Sequence, residues 1–155
     1  MTDLSNIAII LPSLDPDEKL NTVIDGLLKV GFRDILLVND GSKPENLHYF
    51  TDAAAAHPEI TLLHHPVNRG KGAALKTAMD YYLSNRPEGL GVVTVDGDGQ
   101  HQAADILACA QTLLDTGHVV LGARDFDHPD VPLRSRFGNK VANMLFSAPL
   151  GYRSN

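Results

Sequence analysis

The feature that most constrains this chain is a regular alternation between two hydrophobic periods. Short apolar runs recur at Ile7 to Leu11, Ile35 to Val38, Ile60 to Leu63, Val92 to Val95 and Val119 to Leu121, most of them stopped at once by Pro, Gly, Asn or Asp. Continuous runs of that length suit strands buried on both faces. Between them lie stretches with helical spacing. Leu20, Val23, Ile24, Leu27 and Leu28 recur until Gly31, and Leu47 to Ala56 follows. Asn68 to Gly72 opens a helix to about Leu83, and another surrounds residues 104–116. Asp15-Pro16-Asp17-Glu18 reads as a helix start, with Asp15 as N-cap, Pro16 at N1 and Glu18 at N3. Strand and helix in strict alternation predict an α/β fold, a mostly parallel sheet with helices on both faces. A chain of 155 residues with no separating linker suits one domain.

Charge and composition remove several function classes. The formal net charge is −6 without any long block of like charges, which argues against nucleic acid as a partner. The single cysteine, Cys109, excludes an internal disulfide and falls in an apolar helical pattern that suggests core packing. The first residues lack the basic and apolar regions of a signal peptide, and no apolar run approaches the roughly 18 residues of a membrane span. The expected location is cytoplasmic, free or at the cytoplasmic face of a membrane.

Chemistry concentrates at Val92-Val93-Thr94-Val95-Asp96-Gly97-Asp98-Gly99-Gln100-His101. A strand there runs into two carboxylates one residue apart. Ligands of open α/β sheets bind at the carboxyl ends of strands, and alternation along an extended chain would point Asp96 and Asp98 to one side. Two like charges held that close need a cation between them, and oxygen ligands suit Mg²⁺ or Mn²⁺, which also take substrate phosphates. The competing reading is an ordinary Asp-Gly turn. An EF-hand loop fails, because its sixth and twelfth positions would be His101 and Leu107 rather than Gly and Glu. A glycosidase pair fails too, since carboxylates at i and i+2 cannot flank a sugar.

Other strand ends carry polar loops that would converge on the same edge. Pro12-Ser13-Leu14-Asp15 follows the first strand, and Asn39-Asp40-Gly41-Ser42 follows the second. Asp40 suits either acceptance from a base or ribose, or an Asx-turn. Asn68-Arg69-Gly70-Lys71-Gly72 sets two cations and glycines at a helix N-terminus, suited to a phosphate or to a solvated turn. P-loop and dinucleotide fingerprints are absent, because Lys71 is followed by Gly72 and no strand leads into Gly-x-Gly-x-x-Gly. His64-His65 lies at a strand end without zinc-ligand spacing, and no nucleophile elbow supports acyl transfer.

Four of these motifs in order resemble the family 2 glycosyltransferases, inverting enzymes with the A-type, Rossmann-like nucleotide-sugar fold. They are Pro12-Ser13-Leu14-Asp15, Asn39-Asp40-Gly41-Ser42, Asn68 to Ala74, and the Asp-x-Asp motif running from Asp96 to His101. The resemblance covers about residues 5–151 and is nearest in flavour to the polyprenyl-phosphate (dolichyl-phosphate) mannosyl- and glucosyltransferases. It implies a nucleotide-diphosphate sugar donor held by Pro12, Ser13, Leu14, Asp15, Asp40, Gly41, Ser42, Asn68, Gly70, Lys71, Gly72, Asp96 and Gly97. It implies Asp96 and Asp98 as the catalytic carboxylates, with Asp98 and Gln100 ligating Mg²⁺ or Mn²⁺. Arg124, Arg134 and Arg136 would face acceptor phosphate, and the acceptor would be a polyprenyl phosphate or a saccharide. Leu14 and Asp15 replace the family's usual Tyr-Asn, which leaves the choice between UDP and GDP open. The chain stops at Asn155, where the family continues into its acceptor half, so donor binding with little transfer is expected, together with self-association through the apolar helix at 141–146. Two rival classes are a non-catalytic nucleotide-sugar-binding module and a sugar nucleotidyltransferase. The latter should carry a Gly-rich loop with Arg and Lys directly after the first strand, and Pro12 to Asp15 has none.

Overall fold

Four of the five apolar runs become parallel strands. The computed structural model describes residues 3–99 and 101–120, within one compact unit, Met1–Leu121. The strands are β1 (Ile7–Ser13), β2 (Ile35–Asp40), β3 (Ile60–His65) and β4 (Gly91–Thr94), in the order β3-β2-β1-β4. All pair in parallel, with Ile9 opposite Ile35 and Val93, and Asp40 opposite His65. The helices are α1 (Lys19–Val30), α2 (Leu47–Ala56), α3 (Lys71–Asn85) and α4 (Ala103–Thr116), with a 3-10 turn at Pro44–Asn46.

Side chains alternate across a strand, so each central strand feeds two cores. Ile7, Ile9 and Leu11 of β1 and Ile35 and Leu37 of β2 join Leu20, Ile24 and Leu27 of α1, Phe50 of α2 and Ile106 of α4 in one apolar cluster. Ala8, Ile10, Leu36 and Val38 point the other way, onto Ala74, Ala78 and Tyr82 of α3. That is why the apolar runs of β1 and β2 are unbroken: neither face meets water. The chain steps from β1 to β2 to β3 in one direction, crosses the sheet through α3, and places β4 on the far side of β1. The order reverses there, so the carboxyl ends of β1 and β4 frame the crevice where open α/β sheets bind ligands.

Four local expectations change. Asp15 is not an N-cap; α1 begins four residues later, and Asp15 adopts a left-handed φ of 46° because its carboxylate serves the next loop. β4 ends at Thr94, so Asp96 and Asp98 lie beyond the strand, with Asp98 in a turn. Val119 and Val120 form no strand and Val119 is exposed, while Leu121 is outside the described residues. Cys109 is half-buried on α4 and outside the core cluster. Among the described residues, no helix is long and apolar enough to cross a membrane.

Candidate functional site

The loops after β1, β2, β3 and β4 meet at the carboxyl edge of the sheet around a cleft of about 410 Å³. Pro12, Ser13, Leu14 and Asp15 line it from β1, Asp40 from β2, Asn68, Gly70 and Lys71 from the start of α3, and Asp96, Gly97 and Asp98 from β4. Of the donor-site residues expected from sequence, Gly41, Ser42 and Gly72 do not line it. The first two have a bracing position. Ser42 Oγ accepts the Asp15 amide at 2.8 Å, and Gly41 lies against the backbone of Val67 and Asn68. Pro16, Asp17 and Lys19 also line the cleft. In the sequence Pro16 and Asp17 read as part of a helix start, but α1 begins at Lys19.

The β1 and β2 loops are tied together by side chains. Asp15 Oδ1 accepts the Lys43 amide at 2.8 Å and Asn46 Nδ2 at 3.1 Å. Those two donors hold the Asp15 carboxyl below the usual carboxylate range. Asn39 accepts the Ser42 amide and donates to His64 Nδ1, both at 2.8 Å.

Polar burial marks the same spot. Among the described residues, the buried polar side chains are Asn39, Asp40 and His65, each no more than 4% exposed and all at the ends of β2 and β3. Polar groups are buried at a cost unless they are paired. Asp40 Oδ1 accepts His65 Nδ1 at 2.7 Å and the Arg69 amide at 3.0 Å, and His65 Nε2 meets Thr77 Oγ1 at 2.9 Å. Burial pushes the Asp40 carboxyl up, but His65 and the Arg69 amide outweigh it and hold the group below its ordinary value. His65 had no metal or catalytic spacing to announce it. The available signal was the parallel register, which sets Asn39-Asp40 beside His64-His65.

The depressed Asp40 pKa fixes the sign of an acid effect. Its stabilising contribution is complete above the unfolded carboxyl value, about 3.9, and is lost as pH falls through that value and the lower folded one. Urea unfolding of the unaltered chain and of Asp40→Asn should therefore converge below about pH 4. A constant gap from pH 6 to pH 3 would show that the ionised carboxylate is not what the fold stabilises.

At the β4 end, Lys71 Nζ donates to Asp96 Oδ1 at 2.5 Å, and His101 Nε2 lies 3.7 Å from Asp96 Oδ2. Burial raises the Asp96 carboxyl, and the Lys71 hydrogen bond and charge bring it below the ordinary range. A cation already rests on this carboxylate. Asp98 is exposed on the following turn. Among the described residues, no three His, Cys, Asp or Glu side chains converge into a metal cage. Five aspartates line the cleft (positions 15, 17, 40, 96 and 98) against two lysines (19 and 71). Gln100, Arg124, Arg134, Arg136 and the helix expected at 141–146 lie outside the described residues.

Comparisons with known proteins agree with this architecture. The chain is 28% identical over 150 residues to an uncharacterized protein of Methanocaldococcus jannaschii, covering 94% of this chain and 59% of that one. It is 24% identical over 152 residues to a UDP-N-acetylglucosamine--dolichyl-phosphate N-acetylglucosaminyltransferase of Methanococcus voltae, covering 86% and 59%. A mannosyltransferase from Pyrobaculum calidifontis, solved in complex with GDP-Man and Mn²⁺, superposes with a TM-score of 0.58 at 20% identity, over 74% of this chain and 34% of that one. The chain thus spans 59% of the length of the Methanocaldococcus relative. Residues 8–149 match the family Glycosyl transferase family 2, and the chain belongs to that family.

Proposed function

We propose that the cleft binds a nucleotide-diphosphate sugar together with Mg²⁺ or Mn²⁺, and that the chain is one nucleotide-sugar-binding domain serving inverting sugar transfer to a polyprenyl phosphate. The observation that carries this reading is the convergence of four separate strand-end loops on one crevice at the switch point of the sheet. The dolichyl phosphate in the name of the Methanococcus relative supports the acceptor class.

Charge explains why a cation belongs there. A diphosphate entering a cleft with five carboxylates and two ammonium groups meets net repulsion. Hard oxygen donors at Asp96 and Asp98 fit Mg²⁺ or Mn²⁺, and such ions complete their shells with water and substrate phosphate rather than with a protein cage. The Lys71 ammonium on Asp96 supports a role for this carboxylate beside a cation. When bound, the ion would supply neutralisation of the charge that develops on the departing diphosphate. The chain's own residues do the rest. Gly70 and Gly72 face open space where a side chain would stand, so a phosphate can approach the first amides of α3. Lys71, which lines the same cleft, would supply a cation to a phosphate oxygen. Asp40, on the strand two places from β4, lies about 10 Å across the sheet edge by strand spacing. That separation suits a nucleoside laid from base at Asp40 to diphosphate at Asp96.

Isothermal calorimetry tests the reading. UDP- and GDP-sugars are titrated with Mn²⁺ and again with EDTA, and the best donor should bind at least about tenfold more weakly without the ion. Equal affinity in EDTA would remove the metal from the site.

A further inference from the structure

A buried histidine that the proposed chemistry does not use sits behind the cleft. His65 is 4% exposed at the end of β3, and both of its ring nitrogens are engaged. Nδ1 meets Asp40 Oδ1 at 2.7 Å, and Nε2 meets Thr77 Oγ1 at 2.9 Å. Asp40 is itself turned to the backbone ahead of α3. Its Oδ1 accepts the Arg69 amide at 3.0 Å, and the Gly70 amide bonds the same carboxylate. One imidazole is therefore linked to α3 twice, through Asp40 to the residues before the helix and directly to its second turn. Along a helix axis Thr77 stands about 10 Å beyond Gly70.

The double attachment matters because apolar packing indexes α3 only loosely. This helix supplies every helical member of the cluster over Ala8, Ile10, Leu36 and Val38. Its buried residues there are Ala74, Ala78 and Tyr82, with the two alanines nearer the cleft. A methyl group forms no ridge that lodges between neighbours, so burial alone resists a small axial shift of α3 weakly. The contacts of His65 are directional and buried, and breaking one strands a polar group away from water. They fix α3 along its axis at the cleft end. That position decides where Gly70 and Lys71, which line the cleft, stand. We propose that His65 and Thr77 are positioning residues, holding the start of α3 at the depth where Gly70 and Lys71 meet the diphosphate. The inference rests on the nucleotide-sugar reading above and gives a task to two residues that do not line the cleft.

Thr77→Val removes the helix end of this strut, keeps the shape of the side chain and leaves the contact between His65 and Asp40 in place. Thr77→Ser retains a hydroxyl. Calorimetry with Mn²⁺ compares the tighter-binding of UDP and GDP with its own monophosphate, by competition where binding is weak. The gain in affinity that the second phosphate brings should shrink about tenfold in Thr77→Val, and Thr77→Ser should recover it. The monophosphate should bind both variants about as it binds the unaltered chain. If neither UDP nor GDP binds the unaltered chain, the nucleotide-sugar reading itself fails, and this inference with it. If they bind but the gain survives Thr77→Val, only the positioning role is overturned. Mono- and diphosphate weakening together would overturn it too, because a merely structural threonine acts on both alike. His65→Ala, with its folding checked by urea unfolding, closes a double-mutant cycle. Thr77→Val should add nothing to its loss of that gain, and losses that add would overturn the link through His65. Thr77→Val decides the matter alone should His65→Ala not fold.

Discussion

Asp98→Ala should bind a nucleoside diphosphate in Mn²⁺ no better than the unaltered chain binds it in EDTA. Asp98 is exposed on the turn after β4, away from both apolar clusters, so the substitution leaves the core intact. In the proposed site it is the carboxylate that, with Asp96, would hold a cation shared with the diphosphate, and it lines the cleft. Loss of groups that merely support a metal ligand typically costs 10–100-fold in affinity, so loss of the ligand itself should cost about a hundredfold or more. The sharper expectation is non-additivity. If Asp98 acts through the ion, EDTA should add nothing to the loss in Asp98→Ala, because both remove the same interaction. Calorimetry of the two proteins, with and without chelator, gives that cycle. Two losses that add would show that Asp98 touches the ligand directly and that the ion sits elsewhere.

Much of the architecture was legible because its determinants are local. Ile7 to Leu11 is unbroken because β1 is covered on both faces, and the Pro, Asn and Asp residues that stop strands also build the loops of the cleft. Errors arose where a residue answers to a distant partner. Asp15 has the sequence context of an N-cap, but amide donors 28 and 31 residues away claim its carboxylate and turn its backbone left-handed. Alternation would set Asp96 and Asp98 on one side only if a strand ran through them; β4 stops at Thr94, and both carboxylates line the cleft from the residues that follow it. His65 was silent for the same reason. It pairs with a residue 25 positions earlier, and only the register of β2 with β3 brings them together. Local pattern locates the strand ends; parallel pairing decides which of their side chains are buried together.

Gly41→Ala should be the most damaging substitution in the loops, at about 3–5 kcal/mol of stability. Two costs combine there. Gly41 has φ of 75°, a left-handed conformation that an L side chain adopts at roughly 1–2 kcal/mol. A Cβ on it would also lie 2.2 Å from both the Asn68 nitrogen and the Val67 carbonyl carbon, which are backbone atoms that cannot rotate aside. The loop after β3 would have to retreat. That loop carries the Arg69 amide bonded to Asp40 and the Asn68 oxygen that accepts the Gly70 amide at the start of α3. Nucleotide affinity should therefore fall in molecules that remain folded. Gly70→Ala separates the two costs, since Gly70 has φ of 87° but open space where its Cβ would stand. It should lose only the conformational part, about 1–2 kcal/mol. For a chain of this size the Gly41 variant should melt roughly 10 °C below the unaltered protein, and clearly below Gly70→Ala. Denaturant unfolding of the two variants decides it. Equal losses would mean that the β3 loop yields without cost, and that the close packing of Gly41 is not what holds Asn68 and Arg69 over Asp40.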